Sequence, residues 1–242
     1  MKYRLTWSFI IINVIVFEII FSMPEQLMNS AFALLDFSPG KSLELWRWFT
    51  SLFLHASASH LFFNMLALYF FGRVLEDEVR PGQWLAIYFA SGLFGNLIYG
   101  LTSAEPAVGA SGCIFGIMAA AMLIEPVKMI RIYIMPLPLG MIAILYIMSQ
   151  TALAASPVGS EGIAYMAHVG GLVAGSALMF YLKPKNVVRC SLVLLGLLVL
   201  LLVLYPVILL LIGIAEIILG MIDFVVGIFL YGIAHFLLSW IW

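Results

Sequence analysis

VGASGCIFGI, residues 108–117, opens the fourth long apolar run of the chain with a serine set between glycines. Ser111 has two readings. Small residues let helix backbones approach closely inside a membrane, so a serine there is often a packing residue. It is a nucleophile instead if a base lies at the same depth. The choice depends on where the other polar residues sit, and that requires the spans.

Of 242 residues, 64% are hydrophobic and 10% are charged, with a mean hydropathy of +1.15. A soluble domain averages about 45–50% apolar and about 25% charged residues. The composition is that of a polytopic membrane protein. A net charge of −1 argues against a basic nucleic-acid binder. Two cysteines cannot build a disulfide framework, and Cys113 and Cys190 read as reduced, structural thiols. The first residues, MKYRLTWSFIIINVIVFEIIF, have the charged start and apolar run of a signal peptide but no small-residue cleavage site, so they are read as the first span.

A helical span needs roughly 20 mostly apolar residues. The runs between charges, prolines and glycines predict spans at 5–22, 58–78, 82–100, 111–126, 132–151, 164–182, 189–212 and 216–240. Residues 23–57 are too mixed for a span, and 152–163 reads as a small-residue loop. With the N-terminus inside, nine of the eleven Lys and Arg fall on the inner side, and only Lys41 and Arg47 on the outer. The positive-inside rule therefore predicts a cytoplasmic N-terminus.

In this layout Ser111 begins the fourth span near its outer end. His60 and Asn64, spaced i and i+4 on one helix face, lie near the outer end of the second, and His168 near the outer end of the sixth. Gly171 and Gly175 share the histidine's face, and Gly112 and Gly116 follow Ser111 with the same spacing. If these two GxxxG faces pack, Ser111 and His168 meet, and Phe115, four residues on, flanks them. Histidine can take a serine's proton near neutral pH. Asn64, His60 and the Ser111 amide can donate to an oxyanion, each such donor being worth about 3–4 kcal/mol. Each residue also has a plainer role: Ser111 in packing, His168 as a packing or relay residue, Asn64 as helix–helix glue. Spacing alone leaves both open.

The motifs together resemble the rhomboid family of intramembrane serine proteases. Trp46-Arg47 is similar to the family's WR pair in the first outer loop, and HASASHLFFN (55–64) to its pattern in the second helix. FGRVLE (71–76) resembles the segment that ends that helix. GASG (109–112) resembles the nucleophile motif, and AHVGGLVAG (167–175) that of the sixth helix. The resemblance runs from about residue 5 to 182 in the family's order.

It implies an all-α fold: a polytopic transmembrane helical bundle with a six-helix rhomboid-like core over 1–186. The chain departs from that unit at its end, where a C-terminal hydrophobic extension over 187–242 is expected to add about two extra transmembrane helices. The resemblance implies Ser111 as nucleophile and His168 as general base, with no acidic third member. His60, Asn64 and the Ser111 amide would form the oxyanion hole. Phe115, Gly109, Gly112, Gly171 and Gly175 would support the site, and Trp46, Arg47 and Glu76 would be structural. Loop 152–163 would cap the site, and the fifth span would gate substrate entry. The implied reaction cuts single-span membrane proteins near the outer side of the bilayer, with no cofactor and no metal; the chain has no HExxH. The expected location is a bacterial or archaeal cell membrane.

Two other functions keep a footing in the residues. One is a rhomboid-like fold that holds membrane helices without cutting, although the intact Ser–His pair speaks against it. The other is an ion path through Glu18, Glu216, Asp223 and His235, which lacks paired broken helices in corresponding halves of the chain.

Overall fold

The computed structural model describes residues 2–132, 135–154 and 164–238. The chain opens with helix α1 (Arg4–Phe21), then α2 (Glu25–Leu35) and a single turn, α3 (Trp46–Thr50). The mixed segment 23–57 thus holds short helices and turns but no element of bilayer length, as its composition requires. Helix α4 (Ala58–Ala67) runs through a π-helical turn at Leu68–Gly72 into α5 (Arg73–Glu78). Next come α6 (Pro81–Thr102), α7 (Ser111–Met122), α8 (Leu139–Ala154), α9 (Tyr165–Leu182) and α10 (Pro184–Leu238). Five segments are long and apolar enough to cross a membrane: Arg4–Phe21, Ala58–Glu78, Pro81–Thr102, Tyr165–Leu182 and Pro184–Val207. The fold is that of a multi-pass helical membrane protein.

Two boundaries differ from the sequence reading. The expected span 132–151 starts instead at Leu139, because Met129–Ile132 (β1) and Met135–Pro138 (β2) form an antiparallel hairpin. Pro136 and Pro138 explain it: each lacks an amide proton, and neither fits a helix interior. The two expected C-terminal spans form one helix, α10, with Pro206 inside it. A proline is tolerated in a membrane helix where its surroundings re-satisfy the freed carbonyl. The side chains of Glu216, Asp223 and His235 lie outside the described residues, as do residues 155–163 of the expected capping loop.

The interior is built around α7. Every residue from Gly112 to Ala121 is buried, and α6 and α9 pack against it. Glycines permit this. A Cβ at Gly171 would overlap the Gly112 carbonyl oxygen, and one at Gly175 would overlap that of Gly116. A Cβ at Gly170 would come 2.8 Å from the Gly95 Cα, so α9 also touches α6 backbone to backbone. The same core cluster takes in Phe9 of α1, Leu68 of the π-helical turn, Leu75 of α5, and Trp84 and Tyr88 of α6. The chain divides into two compact units, Met1–Leu195 and Gly196–Trp242.

Candidate active site

Ser111 is the first residue of α7. The first turn of a helix has no intrahelical acceptors for its amide protons, and the helix dipole makes that end positive. The approach to Ser111 is fixed from outside. Gly109 donates its N–H to the Ser51 carbonyl at 2.9 Å, and Ala107 exchanges two 2.9 Å hydrogen bonds with Phe37. Ser51 is held in turn by Asn96, whose side-chain amide donates to its hydroxyl at 3.2 Å. Gly109 has φ of +130°, a conformation that side chains disfavour. A Cβ there would also lie 2.9 Å from the His60 ring.

His168 comes from the second turn of α9, on the face whose glycines lie against α7. Its Nε2 is 2.9 Å from the Ser111 Oγ, a hydrogen-bonding distance. The ring is buried and stacks on Phe115, with centroids 4.2 Å apart and planes within 9°. Phe115 is backed by Tyr146 of α8 at 5.4 Å. Among the described residues the His168 Nδ1 has no hydrogen-bond partner. An imidazole placed this way can exchange a proton with the serine hydroxyl.

His60 and Asn64 sit on α4. Ser57 caps that helix: its hydroxyl accepts the His60 N–H at 3.1 Å, the usual device for a first turn. The His60 ring lies over Gly109, two residues before the serine. Asn64 is buried, and its side-chain amide donates to the His60 carbonyl at 3.0 Å. His55, just ahead of the helix, is buried and meets the His60 ring edge to face at 5.1 Å. Burial, aided by the His60 charge, lowers its pKa to about 3, so it stays neutral.

The remaining expected residues lie away from the serine. Arg47 is buried and forks between Asp36 at 2.9 Å and Glu44 at 2.6 Å, while also donating to the Ala33 and Asp36 carbonyls. Trp46 is half exposed and donates to the Leu34 carbonyl at 3.1 Å. Glu76 accepts from the Leu5 and Thr6 amides and from the Thr6 hydroxyl at 2.7–3.0 Å, which ties α5 to the first turn of α1. The sequence reading missed Asp36 and Glu44 as the partners of Arg47: Asp36 is eleven residues away with no regular spacing, and Glu44, at i and i+3, lies in a segment read as irregular loop. It also missed Ser57, which the cap signature, a serine three residues before His60, could have flagged. Among the described residues no three His, Cys, Asp or Glu side chains converge on a metal position.

Comparison with known proteins bears on this geometry. The rhomboid domain family matches residues 42–185, which take in Arg47, His60, Asn64, Ser111 and His168. The chain is 33% identical over 132 residues to Rhomboid protease GluP of Bacillus subtilis, covering 54% of this chain and 25% of that protein. It is 36% identical over 145 residues to RHOMBOID-like protein 1 of Arabidopsis thaliana, 59% of this chain and 36% of the relative. It is 28% identical over 142 residues to Rhomboid protease GlpG of Pectobacterium atrosepticum, 59% of this chain and 50% of the relative. The chain therefore spans a quarter to a half of these relatives. With the family match covering more than half its residues, the chain belongs to the rhomboid family.

Proposed function

We propose that the protein is a serine endopeptidase that cuts single-span membrane proteins by a Ser111–His168 dyad. One observation carries this reading: the 2.9 Å approach of His168 Nε2 to Ser111 Oγ at the start of a buried helix. The protease names of the relatives point the same way. With its proton on Nδ1, the imidazole takes the hydroxyl proton at Nε2 as Oγ attacks the scissile carbonyl. The oxyanion is met by the Ser111 N–H, by the His60 ring and by the second amide hydrogen of Asn64, the first being engaged with the His60 carbonyl. His168 then gives its proton to the departing amine, which leaves an acyl-serine. A water, deprotonated by the same nitrogen, releases the acid and restores the hydroxyl.

The excess of Lys and Arg on one side supports a cytoplasmic N-terminus and a site that opens to the outer side of the cell membrane. The preferred substrate would unwind there at small or helix-breaking residues. Purified protein is expected to cleave a reporter span in liposomes and to react with a fluorophosphonate. Ser111→Ala should lose both properties while keeping its thermal midpoint. Undiminished cleavage by Ser111→Ala would overturn the reading, as would capture of the reporter without product at any pH.

A further inference from the structure

At the far end of α5 from His60 lies a cavity of about 460 Å³ that the catalytic reading does not use. It is lined by Tyr3, Tyr69, Arg73, Asp77, Lys128 and Arg131. From His60 to Asp77 the helix rises by about 25 Å. The hydrocarbon core of a bilayer is about 30 Å thick. The cavity therefore lies near the membrane–water interface opposite the Ser111 level.

Its charges do not balance. Three cations face it, against one carboxylate that is already engaged. Asp77 accepts from the Tyr3 hydroxyl at 3.1 Å and pairs with Lys128 at 3.3 Å and Lys2 at 3.5 Å. Arg73 is clamped between two aromatic rings, 4.6 Å from the Tyr3 centroid and 4.6 Å from that of Tyr69. Its Nε is buried and, among the described residues, has no hydrogen-bond partner. A buried guanidinium nitrogen left unpaired is costly, and the planar fork of N–H donors on a guanidinium suits a phosphate. Arg131 is exposed on the hairpin and makes no ion pair among the described residues. Phe70 also lines the cavity, and the exposed Met129 beside it gives apolar surface that a free anion would not need.

We infer that this cavity binds the phosphate headgroup of an anionic phospholipid, with Arg73 as the oriented donor and Lys128 and Arg131 as the charges that select it. Lipid is favoured over free phosphate by the interfacial depth and the apolar flank. Basic pockets between membrane helices suit such headgroups.

The test uses the full chain in nanodiscs of phosphatidylcholine with increasing phosphatidylglycerol, read by native mass spectrometry and by thermal midpoint. Lys128→Gln/Arg131→Gln should bind phosphatidylglycerol about thirty-fold more weakly than wild type, from the usual contribution of two interfacial cations. Lys185→Gln/Arg189→Gln removes two exposed cations from the same end of the fold and should change binding by less than about twofold. Arg131→Gln alone, at an exposed position, gives a smaller loss of the same kind if the double variant does not fold. Equal losses in the two double variants would mean a diffuse surface potential and no site. Midpoint gains from inorganic phosphate matching those from phosphatidylglycerol would mean a free-anion site. Either result overturns the inference.

Discussion

Helices α7 and α10 are both strongly apolar, yet one is buried throughout and the other is not. In α7 ten consecutive residues are buried, whereas in Pro184–Val207, the first part of α10, only Val187 and Leu201 are. Apolar content cannot separate them, because lipid is as apolar as the protein interior. Small side chains can. Between Gly112 and Ala121, α7 has two glycines, three alanines and a cysteine, and α9 brings Gly171 and Gly175 against it. The start of α10 is mostly leucine and valine, with one glycine, Gly196, whose Cβ would meet nothing within 4 Å among the described residues. Inside a bilayer, close packing of backbones takes over the organising role that hydrophobicity has in water.

The strongest way to break this contrast is to place the same side chain in both helices. Gly171→Leu drives a branched side chain into the Gly112 carbonyl, where the obstacle is backbone and cannot turn aside. Overpacking a core typically costs about 1–3 kcal/mol, and a backbone obstacle puts this case at the top of that range or beyond. The expected result is little folded protein in detergent, with loss of fluorophosphonate labelling in what remains. Gly196→Leu should fold and label as wild type does. If both variants behave alike, the glycine seam does not hold the site together.

Arg47→Ala comes next. It leaves the partly buried Asp36 and Glu44 carboxylates without the cation between them. Removing one partner of a buried pair typically costs about 3–5 kcal/mol, and the exposure of Glu44 places this case near the lower figure. The loop is tied to the α7 approach through Phe37 and Ala107, so labelling of Ser111 should slow as the thermal midpoint falls. A large midpoint fall with unchanged labelling would separate the loop from the site.

What could be read from the sequence follows the same physics. Long apolar runs gave most spans within a few residues, since a helix is the chain's way to satisfy its backbone in lipid. Ser111, His168 and Phe115 were legible as a group because i+3, i+4 and i+7 spacing fixes which residues share a face. The structure places them together. The hairpin at Met129–Pro138 was not legible, because its residues are as apolar as a span and only the paired prolines betray it. The uninterrupted α10 was not legible either, because an apolar run longer than one bilayer crossing reads as two spans and composition does not show whether the chain turns between them. Arg47 was legible as a residue but not its partners. The contact to Asp36 crosses 11 residues of irregular loop with no period to reveal it, and the i, i+3 spacing to Glu44 carries information only where a helix is expected.

His55 gives a smaller effect, visible only against pH. Its pKa is lowered to about 3 in the folded protein, against about 6.5 for an unperturbed histidine. Between those values the unfolded chain binds a proton that the folded one refuses, so stability falls as pH drops from about 6.5 towards 3. Thermal midpoints measured from pH 7 to 4 should show this decline, and His55→Leu should flatten part of it. An identical acid limb in His55→Leu would assign the decline to other groups.

The smallest expected change is also the one that tests the other side of the contrast. Gly196→Ala adds one methyl to α10 where no atom of the described residues lies within 4 Å. In a helix interior, glycine is less stable than alanine by about 0.5–1 kcal/mol, because it has more backbone freedom to lose. With no obstacle to offset that gain, the variant should be as stable as wild type or slightly more so. For a chain of this size that is a rise of about 1–4 °C in thermal midpoint. Gly171→Ala, the same chemical change in the seam, should lower the midpoint, because even one methyl overlaps the Gly112 carbonyl. Opposite signs from one substitution mean that the two helices differ in what touches them and not in composition. A fall for Gly196→Ala as large as that for Gly171→Ala would mean that α10 also lies against another backbone, as it would in a dimer of this chain. The outward-facing leucines would then have to be read as an interface.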